Sequence, residues 1–119
     1  MQRFTDLLVW QRSHDLVLQL YRVTARFPGD EKFGLISQLR RAAASIPTNI
    51  AEGSKRRTNS EYARFLNIAD GSLAEVEYLV MLSRDLGFLL AGPSETLLKE
   101  MTEIAKMLNA LRSKVEKSR

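Results

Sequence analysis

The chain has 119 residues, 45% of them hydrophobic, a formal net charge of +4, one His and no Cys. That length predicts a single domain, residues 1–119, able to bury about two-thirds of its unfolded surface in one core. The composition excludes disulfides, thiolate metal sites and cysteine nucleophiles, and one His excludes a histidine metal cluster within the chain.

The opening residues, Met1-Gln2-Arg3-Phe4-Thr5-Asp6, lack the charged region and apolar run of a signal peptide. The longest apolar stretch, Leu86 to Ala91, is broken by Gly87 and is far short of the ~20 residues that cross a bilayer. A cytoplasmic protein with no membrane partner is expected. The first segment sets Trp10, Val17, Leu20, Tyr21, Thr24 and Phe27 on one side of a helix, with Leu16 and Val23 beside them. Phe27-Pro28-Gly29-Asp30 ends it, because Pro and Gly both interrupt helical backbone.

In the second segment Ile36, Leu39, Ala43, Ile46 and Ile50 step by 3, 4, 3 and 4, the period of a helix burying one stripe. Pro47 interrupts this pattern without ending it. An interior Pro removes a backbone hydrogen bond and costs about 3 kcal/mol, so a kink near Pro47 is expected within one helix. Asn49 is placed to hydrogen-bond a carbonyl the kink frees. After Lys55-Arg56-Arg57, Thr58 and Glu61 have the spacing of a capping box and predict the start of the third helix.

The third segment carries two stripes. Tyr62, Leu66, Ala69, Leu73, Val76 and Val80 form one; Phe65, Ile68, Leu79, Leu82 and Leu86 form the other. Two stripes fit either a subunit interface or a central helix with a wide core face. Gly71, flanked by Ala69, Ser72 and Ala74, predicts close approach to Ala42-Ala43-Ala44-Ser45 of the second helix. Leu86-Gly87 marks a helix end, and Gly92-Pro93 a start with Pro at the first helical position. In the last segment Leu97, Met101, Ile104, Leu108, Leu111 and Val115 step by 4, 3, 4, 3 and 4. No strand alternation appears. The fold class is all-α: an antiparallel up-down four-helix bundle.

The inventory of reactive groups is thin. His14 has Asp15 about 100° round the helix, where it cannot orient the imidazole. Glu75 and Glu77 point to different faces; Glu100 and Glu103 have Lys99 and Lys106 as ordinary surface partners. No catalytic residue, metal ligand or cofactor site is expected. The basic residues remain: Arg40, Arg41, Lys55, Arg56, Arg57 and Arg64, opposed between residues 38 and 64 only by Glu52 and Glu61. Arg41 and Lys55 fall within about 40° on an ideal helix. Lys55-Arg56-Arg57 would project from a turn toward phosphate oxygens, or simply complement a helix C-terminus. Arg40 and Arg41 could instead pair internally with Glu52, Glu75 or Glu77.

The stretch from Ser37 to Gly53, SQLRRAAASIPTNIAEG, closely resembles the signature of the four-helix-bundle family named for proteins encoded in 23S rRNA intervening sequences. Glu61 to Leu66 and Gly71 to Glu77 resemble its second block, and Val9-Trp10-Gln11 its opening. The resemblance implies ring-shaped homopentamers. A related branch, the accessory proteins of diversity-generating retroelements, binds nucleic acid and works with a reverse transcriptase. Arg40, Arg41 and Arg64 fall inside the matching blocks, and Lys55-Arg56-Arg57 follows the signature. The expected function is a non-enzymatic homo-oligomer whose repeated basic patch contacts the phosphates of RNA or DNA. The alternative is an adaptor ring that docks an acidic partner protein, such as a nucleic-acid enzyme.

Overall fold

A computed structural model of the chain describes residues 3–118, and every regular element in that span is helical. Four long helices follow a short 3-10 turn: α1 (Leu8–Thr24), α2 (Leu35–Ser54), α3 (Asn59–Asp85) and α4 (Ala91–Lys117). At 27 residues each, α3 and α4 should run about 40 Å, which fits a molecule of 48 × 24 × 20 Å. The helices pack as a closed four-member bundle: α1 on α2, α2 on α3, α3 on α4, and α4 back on α1. The α2–α3 seam is the most extensive and the α1–α4 seam the least.

The apolar periods account for the core. Leu39, Ala43, Ile46 and Ile50 of α2 are buried, as are Leu97, Met101, Ile104, Leu108 and Val115 of α4. Leu66, Ala69, Leu73, Val76 and Val80 of α3 face them. On α1 the buried line runs Val9, Ser13, Leu16, Leu20 and Thr24; Tyr21, expected inside, lies on the surface. Buried hydroxyls are satisfied within their own helices: Ser13, Thr24 and Ser83 each donate to the carbonyl four residues back, at 2.7 Å. The second stripe of α3 divides. Leu79 is buried, Phe65 and Leu82 are half-buried, and Ile68 and Leu86 are exposed.

The helix ends follow their local signals with two adjustments. Thr58 Oγ1 accepts from the Glu61 amide at 3.1 Å, the Thr half of the expected capping box. Gly87 follows the end of α3 with φ of +84°, the left-handed conformation that glycine adopts without a Cβ clash. Helix α4 begins at Ala91, two residues before Pro93; Pro is tolerated there because the first amides of a helix have no acceptor in it. Helix α2 runs through Pro47 as one element. Asn49 Nδ2 donates to the Ser45 carbonyl at 2.8 Å, not to the Ala43 carbonyl that Pro47 deprives of its donor.

Two of the three glycines within the long helices, Gly53 and Gly71, are used differently. A Cβ added at Gly53 would lie 2.8 Å from Phe65 Cβ and 3.0 Å from Tyr62 Cδ1, so α2 and α3 meet there only because the side chain is missing. A Cβ at Gly71 would meet nothing within 4 Å. The close approach expected at Gly71 falls instead at its neighbour, where the Ser45 and Ser72 hydroxyls hydrogen-bond at 2.8 Å. Gly53→Ala should lower the melting temperature, because overpacking of about 1–3 kcal/mol exceeds the roughly 1 kcal/mol helical gain of Ala over Gly. Gly71→Ala should raise it, by up to that same ~1 kcal/mol. Thermal denaturation followed by circular dichroism checks both signs.

Candidate nucleic-acid interface

The α2–α3 junction gathers the basic residues. Helix α2 ends at Ser54, the turn projects Lys55, Arg56 and Arg57, and α3 brings Arg64 back one turn after Glu61. The half-buried ring of Phe65, pressed against Gly53, sits between two guanidinium groups. Arg56 and Arg64 each lie over it, 5.5 Å from the centroid. Arg56 Nε also donates to the Glu52 carbonyl at 3.1 Å, closing the C-terminal end of α2 while its two terminal nitrogens make no hydrogen bond among the described residues. Lys55, Arg56 and Arg57 line a surface depression of about 260 Å³ with Glu61. Among the described residues none of these four cations forms an ion pair. Three cations facing one carboxylate, with Arg64 close by on α3, leave an excess of positive charge that can attract an anion, and stacking on Phe65 limits the conformational freedom that Arg56 and Arg64 would lose on binding.

Arg40 and Arg41 do not join this cluster. They precede Lys55 by 15 and 14 residues on α2, roughly 20 Å along the axis at 1.5 Å per residue. Arg41 is exposed and donates to Ser37 Oγ at 3.2 Å. Arg40 is half-buried and holds α1. Its Nε donates to Thr24 Oγ1 at 2.9 Å, an Nη donates to the Tyr21 carbonyl at 3.1 Å, and its guanidinium covers the Tyr21 ring at 4.4 Å. Thr24 in turn donates to the Leu20 carbonyl. The internal alternative for Arg40 is therefore met by a hydroxyl, a carbonyl and a ring, and none of the three candidate glutamates pairs with it.

Sequence patterns did not point to the polar groups beside Arg64. A depression of about 440 Å³ is lined by Asn59, Ser60, Arg64, Asn67 and Glu116. Arg112 of α4 donates to Asn67 Oδ1 at 2.6 Å and also bonds Asn109, and Asn59 donates to the Ser118 carbonyl at 2.7 Å. These contacts span 45 and 59 residues, so no local motif announces them.

The remaining ionisable groups have structural partners or none. Glu100 accepts from Arg12 Nε and Nη2, at 2.6 and 2.8 Å, tying α1 to α4; this bidentate contact holds the Arg12 guanidinium above its ordinary pKa. Lys106 pairs with Glu103 at 3.3 Å, as expected on one helix face. Burial pushes the Tyr62 phenol up. His14 is exposed, with its ring stacked on Trp10 at 5.2 Å and 8°. No group of three or more His, Asp or Glu among the described residues is placed to hold a metal ion. No helix there is long and apolar enough to cross a membrane.

The family model of the 23S rRNA-intervening sequence protein matches residues 5–110. A crystal structure of a protein of unknown function from the S23 ribosomal protein family of Bacteroides thetaiotaomicron superposes with a TM-score of 0.79. It is 23% identical, and the match covers 88% of this chain and 98% of that one. No curated protein matches the sequence. Neither description indicates an enzyme.

Arg40→Ala should cost stability, about 1–3 kcal/mol for two hydrogen bonds and a ring contact. Arg57→Ala should stay within about 0.5 kcal/mol of the parent. Urea denaturation of the two variants separates the arginine that builds the fold from one that is free to bind.

Proposed function

The chain belongs to the 23S rRNA-intervening sequence protein family, and on that premise we propose that it is a non-enzymatic, homo-oligomeric nucleic-acid-binding module. The observation that carries this reading is the grouping of Lys55, Arg56, Arg57 and Arg64 at the α2–α3 turn, with Arg56 and Arg64 over the Phe65 ring and no ion pair to any of the four among the described residues. Phosphate oxygens are the complementary ligand for such a cluster, and Arg presents several N–H groups to them at once. No cluster among the described residues is placed to hold a metal ion, so no zinc module supplies base readout, and the contacts would be to backbone phosphates.

Oligomerisation would multiply the effect. A ring repeats the patch once per subunit, and the summed potential steers a polyanion more strongly than one patch does. Ile68, Tyr78 and Met81, which α3 leaves exposed by 41%, 62% and 38%, support self-association, because a bundle core covers only one side of such a helix. The family resemblance makes five subunits the expected number. Sedimentation equilibrium of the purified protein should give that multiple of the 13.5 kDa chain, and Tyr78→Glu should reduce it.

Binding should weaken steeply with salt, since each neutralised phosphate releases counterions. Anisotropy titrations with labelled structured RNA and duplex DNA, across a salt series, test the patch. The Arg56→Ala/Arg57→Ala variant should bind every sequence more weakly and flatten the log–log salt slope by about 2. Parent-like binding by that variant rules the patch out. A partner protein that survives nuclease treatment in a pull-down would favour the adaptor role for the same cations.

A further inference from the structure

Phe33 is 91% exposed, the most exposed large apolar side chain among the described residues. It stands in the turn between α1 and α2, two residues before α2 begins. Asp30, exposed and in no ion pair among the described residues, lies three residues before it. The Phe33 ring makes no aromatic pair among the described residues, and the Lys32 ammonium lies over it at 5.6 Å. An isolated Phe held out in water on an ordered turn is a binding group without its partner.

The matching concavity lies at the same end of the bundle. Between the end of α1 and the start of α4 is a cavity of about 410 Å³. Its apolar walls include Val23, Phe88, Leu90 and Pro93. Phe88 is fixed by its contact with Phe27, at 5.8 Å between centroids, and by its amide bond to the Ser83 carbonyl at 2.9 Å. Leu90 is 76% exposed. Arg22 and Arg26, one helical turn apart, edge the cavity and have no acidic partner among the described residues.

We propose that Phe33 of one copy of this chain enters the α1–α4 cavity of the next, with Asp30 meeting Arg22 or Arg26. The occupant follows from three matches. The cavity has ample volume for one phenyl ring, its rim carries the charge opposite to Asp30, and knob and socket sit at the same height. In a cyclic ring with its axis along the bundle, equivalent ends stay level, so a contact that closes must join features at one height. The apolar groove between α1 and α2, lined by Trp10, Pro47 and Glu52, carries an acidic rim and sits further along the bundle from Phe33. Knob and socket are built from different residues, which makes the contact head-to-tail, and such a contact closes into a ring where the rotation between copies allows.

This inference rests on self-association and is independent of nucleic acid. Phe33→Ser removes the knob and Leu90→Glu blocks the socket; both side chains are exposed, so folding should be unchanged by circular dichroism. Each variant alone should sediment as a monomer, with association weakened at least tenfold. Mixed one to one, they should form a species of twice the chain mass and no ring, because each pair retains one intact knob and one intact socket. A wild-type oligomer whose mass survives Phe33→Ser, or a mixture of folded variants that stays monomeric at high concentration, overturns the contact while leaving self-association standing. A monomeric wild-type protein removes both.

Discussion

The α2–α3 seam depends on the side chain that Gly53 lacks. With only hydrogen there, the backbone of α2 approaches Tyr62 and Phe65 to a distance that any Cβ would violate. Burial of the apolar stripes supplies the attraction, but this contact fixes where the two helices can touch. It also holds the Cβ of Phe65 close to the end of α2, where its ring lies under the guanidinium groups of Arg56 and Arg64. The geometry of the basic cluster is thus a by-product of core packing one residue before the end of α2.

Arginine appears in three settings here, and its surroundings decide what it can do. Arg40 has a ring, a hydroxyl and a carbonyl within reach, so its N–H groups are committed to α1. Arg12 has a carboxylate in bidentate contact, so its charge is neutralised. Arg56 has a ring and one carbonyl, which orient it and leave charge and donors over. The same side chain is a clamp, a tie or a ligand-binding group according to how many of its donors the fold consumes.

Much of the bundle was legible in the sequence because its signals are local. The 3–4 stepping of α2 and α4, the Thr58 cap and the glycine after Leu86 each involve residues within one or two turns. The cluster at Lys55–Arg57 was legible for the same reason. Arg40 was not, because its partners Tyr21 and Thr24 lie 19 and 16 residues away on another helix. Tyr21 itself shared the apolar period of α1, yet its position places it under a guanidinium at the surface. Gly71 illustrates the converse: its small neighbours suggested close packing, but the helix turns it outward, and one residue of phase separates it from Ser72, which makes the contact. Socket and knob were invisible to pattern reading, since a cavity is made by two helices and exposure is defined by what fails to pack.

The Arg12–Glu100 tie joins residues 88 apart, while the other three seams connect helices that follow one another along the chain. Loop-closure entropy therefore weighs most heavily on the α1–α4 seam, which is also the least extensive. In folding, α2 and α3 can associate early through short-range contacts, and α1 and α4 must come together around them. The bidentate pair is suited to that late step: it adds direction and charge where little apolar area is available to hold the two helices in register. The same logic makes this seam the most readily opened in the folded molecule, and the α1–α4 cavity lies along it. Whatever fills that cavity would act on the cooperativity of the whole bundle by joining its first helix to its last.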